Sequence, residues 1–209
     1  MTRSHIRWTT TLLTAALAVA PAASGSAQGK TDSARQQPYT AADVHFMSGM
    51  IGHHAQAIEM ARLIPTHDAS SALQVLGGRI INAQQDEIAI MQQWLRDRGQ
   101  PVPEARPGPM KMMHNGVEHE MTMPGMLTPE QMKELAAARG KEFDRLFLTF
   151  MIQHHKGAVE MVKELVGSQG AALDDTVFKI ASDINVDQET EIARMQKMLF
   201  EILIDRGSQ

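Results

Sequence analysis

The chain has no cysteine among its 209 residues, so neither a disulfide framework nor a thiolate metal site is available to it, and there is no lipobox cysteine to acylate. Aromatic residues are scarce as well, at 4%. A core must then be filled from Leu, Ile, Ala and Met, which favours packed helices over an aromatic-rich sandwich. An excess of positive charge is also missing: 20 Lys+Arg stand against 24 Asp+Glu, a formal net charge of −4. A nucleic-acid partner would call for a basic stripe, and none is written here. What remains is 43% hydrophobic and 21% charged, enough for one well-cored domain and too little for two large ones. In a cysteine-free chain the soft-metal ligands left are Met and His.

Residues 1–27 read as an address. Arg3 and Arg7 make a short basic start, Trp8 to Val19 an apolar stretch too brief to span a bilayer, and small residues lead to Ala27. The expectation is a secretory signal peptide cleaved near Ala27, with an uncleaved N-terminal anchor as the alternative. Residues 1–27 hold no Asp or Glu, so removing Arg3 and Arg7 takes the formal charge from −4 to −6. The product is expected to be soluble, in the periplasm or outside the cell. Residues 28–39 are polar and aperiodic, a flexible leader.

Helix signals follow in order. Thr40 and Asp43 form a start signal for an apolar-periodic run to Ile64, which Pro65 stops. Asp68 is a candidate cap for a second helix through Arg98, ended by Gly99 and Pro101. Periodicity is lost from Gln100 to Leu127, where five prolines and three glycines mark a linker or long functional loop. Thr128, Pro129 and Gln131 announce a short helix to Arg139. Long helices are then expected over 141–166 and from Asp174 or Asp175 to Asp205.

The chain repeats itself. MIGHHAQAIEM (residues 50–60) returns as MIQHHKGAVEM (residues 151–161), an offset of 101 from Met50 to Met151. At an offset of 104, Ile80, Gln84, Glu87, Ile88, Met91 and Leu95 return as Ile184, Gln188, Glu191, Ile192, Met195 and Leu199. Repeat one spans residues 40–98 and repeat two 128–205, each a helical hairpin that cannot bury its apolar face alone. Two such hairpins are expected to pack as an all-α four-helix bundle, with a short extra helix and a Met-rich loop between them.

On a helical projection His54 lies in the centre of the apolar stripe, His53 and Met60 sit together on its flank, and Glu59 points nearly the opposite way. The second copy behaves alike, so each half directs one His into the bundle and places another at its seam. Met50 stands three residues before His53 and four before His54, a spacing that lets one thioether and one imidazole converge. Carboxylate-bridged di-iron bundles use Glu at that position, and none of the nine His has a Glu three residues upstream. Thioether plus imidazole suits Cu(I), with Ag(I) as its mimic. The bland alternative is that these His are hydrogen-bonded core residues and the Met fill gaps.

The linker is a sharper signal. Six of the 16 methionines, Met110, Met112, Met113, Met121, Met123 and Met126, fall in the 17 residues 110–126, together with His114 and His119. Three Gly or Pro in the same stretch rule out a core helix. Exposed thioethers have little structural use and are open to oxidation, so a ligand role is attractive; the alternative is a loop that plugs its Met into a groove on the bundle. His45 and His67 read as surface or cap residues, and Asp183, Asp187, Glu189 and Glu191 as a solvated helix face.

The blocks FMSGMIGHHAQAIEMA and FDRLFLTFMIQHHKGAVEMV, each followed by an Ile-x-x-x-Gln-x-x-Glu-Ile-x-x-Met helix, and the join MPGMLTPEQM, resemble the DUF305 family over residues 40–203. That resemblance implies a ferritin-like four-helix bundle, exported, with no catalytic activity established. Some members of the family resemble periplasmic copper-binding and copper-resistance proteins, with Met and His as ligands. For this chain it implies copper, Cu(I) first and Ag(I) or Cu(II) as further ions, at Met50, His53, His54, Met60, Met151, His154, His155 and Met161 and at the Met-rich join. No organic cofactor is expected. The partners expected are the metal ion and a copper exporter or another periplasmic copper protein, with no nucleic acid and, after signal cleavage, no membrane. A ferritin-like metal oxidase or oxidoreductase using the central His with Glu59 or Glu160, and a plain structural or interaction bundle, are the competing readings.

Overall fold

The computed structural model describes residues 38–114 and 117–207. The signal segment, most of the leader and the tip at Asn115 and Gly116 lie outside them. The described residues carry α1 (Ala41–Leu63), a 3-10 turn (Ile64–Thr66), α2 (Ser71–Asp97), strands β1 (Met110–His114) and β2 (Val117–Met121), α3 (Pro129–Ala137), α4 (Gly140–Gly167) and α5 (Asp175–Gly207). Among the described residues the regular structure is helical apart from that one hairpin. No helix among the described residues is long and apolar enough to cross a membrane.

The helix starts follow from capping chemistry. The Thr40 hydroxyl accepts from the Asp43 N–H while the Asp43 carboxylate accepts from the Thr40 N–H at 2.7 Å, a capping box. Thr128 and Gln131 repeat the arrangement at α3. Asp68, expected to cap α2, does not: it sits at φ 53°, and Ser70 is the cap, its hydroxyl accepting from the Leu73 N–H at 3.3 Å. The left-handed backbone at Asp68 turns its side chain out of register with the first helical amides.

The second departure is the linker. Where a loop was expected, residues 110–114 pair antiparallel with 117–121, setting Met110 opposite Met121 and Met112 opposite His119. Short runs of unbranched Met read poorly as strand, and a two-stranded ribbon lacks the strong alternation that sequence patterning detects.

Helix α1 packs on α2, α4 on α5, and the two hairpins meet through α1 and α4. The matched aspartates exchange contacts between repeats. Asp43 Oδ1 accepts from the Ala172 N–H at 2.7 Å in the turn before α5, and Asp144 accepts from the Ser70 N–H at 3.2 Å in the turn before α2. At one end Asp174, 2% exposed, accepts from Trp94 Nε1–H at 3.0 Å and pairs with Arg98, fastening α2 to the start of α5. Buried methionines fall in two core clusters: Met47, Met50, Met91, Met123, Met126 and Met161 in one, and Met60, Met151 and Met195 in the other. Each cluster draws on both repeats, because α1 and α4 cross at their shared motif.

Candidate metal site

The crossing of α1 and α4 places His53 and His154 against each other, ring centroids 3.9 Å apart and planes inclined by 40°. The neighbouring rings His54 and His155 lie 6.3 Å from His53 and His154 respectively. All four histidines are fully buried. The seam expected to be a flank is therefore as dry as the centre of the stripe, since a helix flank is enclosed once a second helix packs on it.

Outward from this pair the arrangement is two-fold. His54 Nε2–H donates to Glu87 Oε2 at 2.7 Å, and His155 Nε2–H donates to Glu191 Oε2 at 2.6 Å. The partners in each pair lie on different helices, 33 and 36 residues apart in sequence. Sequence pattern marks neither glutamate as a partner and places Glu191 on a solvated face, a reading the structure corrects by setting its carboxylate on buried His155. A signal was present: Glu87 and Glu191 are matched by the repeat just as His54 and His155 are. Glu59 and Glu160 are exposed, on the side away from the histidines.

The symmetry is broken on one side only. Residues 123–127 cross the α1–α4 seam, and His53 Nε2–H donates to the Pro124 carbonyl at 3.0 Å. Gln56 brackets Leu127, donating to its carbonyl at 3.0 Å and accepting from its N–H at 2.7 Å. Gln153 donates to the Gly125 carbonyl at 3.3 Å. Opposite Gln56 in the repeat stands Gly157, where any Cβ would lie 2.0 Å from the Pro124 oxygen. One crossing segment thus accounts for why the two motifs, otherwise so alike, exchange Gly and Gln: MIGHHAQ has Gly52 and Gln56, MIQHHKG has Gln153 and Gly157.

The segment brings two thioethers with it. Met123 is 3% and Met126 9% exposed, both core residues, whereas Met121 is 46% exposed. Met50, Met60, Met151 and Met161 are all buried beside the helical histidines' own turns. For Met110, Met112, Met113, His114 and His119 the structure supplies strand positions in the hairpin. Of the two readings of His67, surface or cap, the structure gives the cap: it closes the 3-10 turn with its N–H on the Ile64 carbonyl, and it is 5% exposed, its ring nitrogens 3.0 Å from the Ala136 carbonyl and 2.6 Å from the Leu63 carbonyl. His45 is half-buried, and burial lowers its pKa against the raising pull of Glu164.

A carbonyl or carboxylate can only accept, so in His53, His54 and His155 it is Nε2 that carries a proton, and neutral His53 is left with a bare Nδ1. The Nδ1 atoms of those three have no hydrogen-bond partner, and neither His154 nitrogen makes a hydrogen bond of good geometry, although the His53 backbone stands near enough to pull the His154 pKa upward. Burial, followed by the charge of His54, pushes the His53 pKa down to about 3. Burial again, then His53 and His155, holds His154 well below its ordinary value. The neutral His53 and His154 rings, with free lone pairs in a thioether-rich interior, fit a soft cation, which needs ligands that are already deprotonated. Among the described residues, no three His, Asp or Glu side chains form a group that could hold an ion by themselves, so an interior soft site requires the methionines.

The same shifts give a stability prediction. An unfolded histidine takes up its proton near pH 6.5 while His53 resists until about 3, so between those values the unfolded chain binds more protons. Stability is then highest at neutral pH and falls on acidification through that window, by at most roughly 1.4 kcal/mol per pH unit for each such histidine. Denaturant unfolding of the metal-free protein at pH 7, 6, 5 and 4 measures it, and a flat profile would contradict the burial of these rings.

A helical protein with a duplicated motif, paired His–Glu contacts and a dry imidazole pair at its two-fold seam defines the class. The chain belongs to DUF305, a domain of unknown function, whose family model matches residues 43–199. Among solved structures it is similar to a DUF305 protein from Streptomyces coelicolor described as secreted, at 30% identity and a TM-score of 0.64, over 77% of this chain and 93% of that one. A DUF305 fragment from Deinococcus radiodurans is similar at 28% identity and a TM-score of 0.64, over 79% and 99% of the two chains. CopM in its Cu(I)-bound form is similar at 26% identity and a TM-score of 0.57, over 78% and 98%; CopM structures with Cu(II) and with Ag are also similar. No curated protein sequence matches the chain.

Proposed function

We propose that this chain is an exported copper-binding protein that sequesters Cu(I) through Met and His ligands or hands it to a copper exporter or another periplasmic copper protein. It does so without turnover and thereby contributes to metal tolerance. Ag(I) and Cu(II) are further ions of the same site, and the helices form a ferritin-like four-helix bundle around it. The observation that carries this reading is the fully buried His53–His154 contact with three of its four ring nitrogens unpartnered. A core histidine kept for structure would have those atoms satisfied. Support comes also from the similarity to CopM, solved with Cu(I), Cu(II) and Ag, and from the relative described as secreted.

In this reading the hairpin receives the ion and the interior retains it. Met121 is exposed, and Met123 and Met126 lead from it into the core cluster that holds Met50 and Met161. In the hairpin register Met112 is paired with His119 and Met110 with Met121 along the backbone. Titrating the mature chain with Cu(I) against a competing chelator tests the proposal, and binding no tighter than that of a Met-free control protein would sink it. Replacing Met110, Met112, Met113 and Met121 by Leu is expected to remove at least one ion from the stoichiometry and to slow loading of the remainder.

The His54–Glu87 and His155–Glu191 pairs favour one second reading, a ferritin-like metal oxidase, because they bring carboxylates to the interior histidines that spacing alone did not. Oxygen consumption on adding Fe(II) separates the two: sustained turnover belongs to the oxidase, stoichiometric binding without it to the copper protein.

A further inference from the structure

Helices α2 and α5 are each packed on their own hairpin partner, and between them runs a cleft of about 410 Å³. Its floor is written twice: Gln84 and Glu87 from α2 face Gln188 and Glu191 from α5, with Asp187 beside them. Gln84 is 2% exposed, and neither its Nε2 nor its Oε1 has a hydrogen-bond partner; Gln188, also 2% exposed, leaves its Oε1 unpartnered. A dry primary amide with nothing to bond is costly, and here the fault occurs at two positions related by the repeat. Gap-filling would have used Leu or Met, as the neighbouring core does.

The cleft's charge indicates what would relieve it. Glu87 and Glu191 each give one oxygen to a buried histidine. The Asp187 carboxyl is raised by burial first and then by Glu87, Glu191 and Asp183. Lys179 is taken up by Asp183, and Arg79 and Arg194 stand exposed at the rim. Three carboxylates on the floor against two guanidiniums at the solvent edge make a field that attracts a cation and repels an anion.

We propose that the α2–α5 cleft binds a hydrated divalent cation, with Glu87, Asp187 and Glu191 supplying the charge and the Gln84 and Gln188 amides holding its water shell. The water shell follows from geometry. No three His, Asp or Glu side chains among the described residues can hold a bare ion. The cleft instead has room for an ion with six waters, which occupy roughly 180 Å³ at their liquid volume. Its donors are all oxygen or amide, the chemistry of a hard ion, so it is separate from any thioether site. It stands whether or not the interior binds copper.

Mn2+ serves as the probe. In NMR spectra of the mature chain, substoichiometric Mn2+ is expected to broaden the amide signals of residues 83–88 and 187–192 before all others, and excess Mg2+ to restore them. Gln84→Leu with Gln188→Leu, which removes unpaired amides and leaves the His–Glu contacts, is expected to weaken Mn2+ at least tenfold without lowering Tm. Asp187→Asn, which touches neither histidine, is expected to weaken it severalfold. Saturation with Ag(I) is expected to leave the Mn2+ effect in place. Broadening centred on the hairpin, unchanged affinity in both variants, or displacement of Mn2+ by Ag(I) would each overturn the proposal.

Discussion

A His154→Leu variant is expected to be more stable than the natural protein in the absence of metal and to bind Ag(I) or Cu(I) at least about 100-fold more weakly, since losing even a residue that only supports a metal ligand costs roughly 10–100-fold. The two effects have one cause. His154 is fully buried, and neither ring nitrogen makes a hydrogen bond of good geometry, with only the His53 backbone near enough to raise its pKa. Each such atom carries a desolvation cost of roughly 1–3 kcal/mol, which an apolar side chain of similar reach does not. Leucine leaves a small void against His53, so the net gain is about 1–2 kcal/mol, or roughly 2–8 °C in Tm for a chain of this size. Thermal unfolding of the metal-free protein and chelator competition measure the two sides. If His154→Leu lowered Tm and left soft-metal affinity unchanged, the ring would be a packing element and the proposed interior site would be lost.

A Gly157→Ala variant should show the opposite pattern, a marked loss of stability. The added Cβ would stand 2.0 Å from the Pro124 oxygen, 2.4 Å from its carbon and 2.7 Å from Gly125 Cα. All three are backbone atoms that no rotamer change can move. Gly125 is itself held at φ 74°, a left-handed conformation that leaves the crossing segment little freedom to adjust. The segment must lift, taking with it the His53–Pro124 and Gln56–Leu127 hydrogen bonds and exposing Met123 and Met126. The expected cost is about 3 kcal/mol, roughly 6–12 °C in Tm. Methionine oxidation mapped by mass spectrometry gives a second readout, since Met123 and Met126 should become as reactive as Met121. Gly52→Ala is the control: the nearest atom to a Cβ there is the Arg106 carbonyl oxygen at 3.6 Å, an ordinary contact, and stability should scarcely change.

These variants separate what is local from what is not. Thr40 with Asp43, and Thr128 with Pro129 and Gln131, specify helix starts because their hydrogen bonds close within one turn. Asp68 misled because a cap requires a backbone conformation as well as a side chain, and the turn takes φ positive there. The hairpin at 110–121 escaped notice because two short strands leave only a faint pattern. For the site, spacing showed that Met50, His53 and His54 share a helix face. It could not show that His53 would meet His154, or that Glu87 and Glu191 would take up His54 and His155, since periodicity states which way a side chain points and not what stands opposite.

The sequence by itself determined the duplicated helical hairpins, the family and the ligand vocabulary: a chain with no cysteine and two Met-x-x-His-His motifs has only thioether, imidazole and carboxylate to offer. Apolar periodicity and capping are properties of ten or twenty consecutive residues, so they survive reading along a line. Only the tertiary structure decided which copies meet, why Gly and Gln trade places between MIGHHAQ and MIQHHKG, and that the buried Gln84 and Gln188 line the floor of one cleft. Those facts depend on helices crossing at one register, and that register is set by packing between residues as far apart as Gln56 and Leu127, 71 positions along the chain.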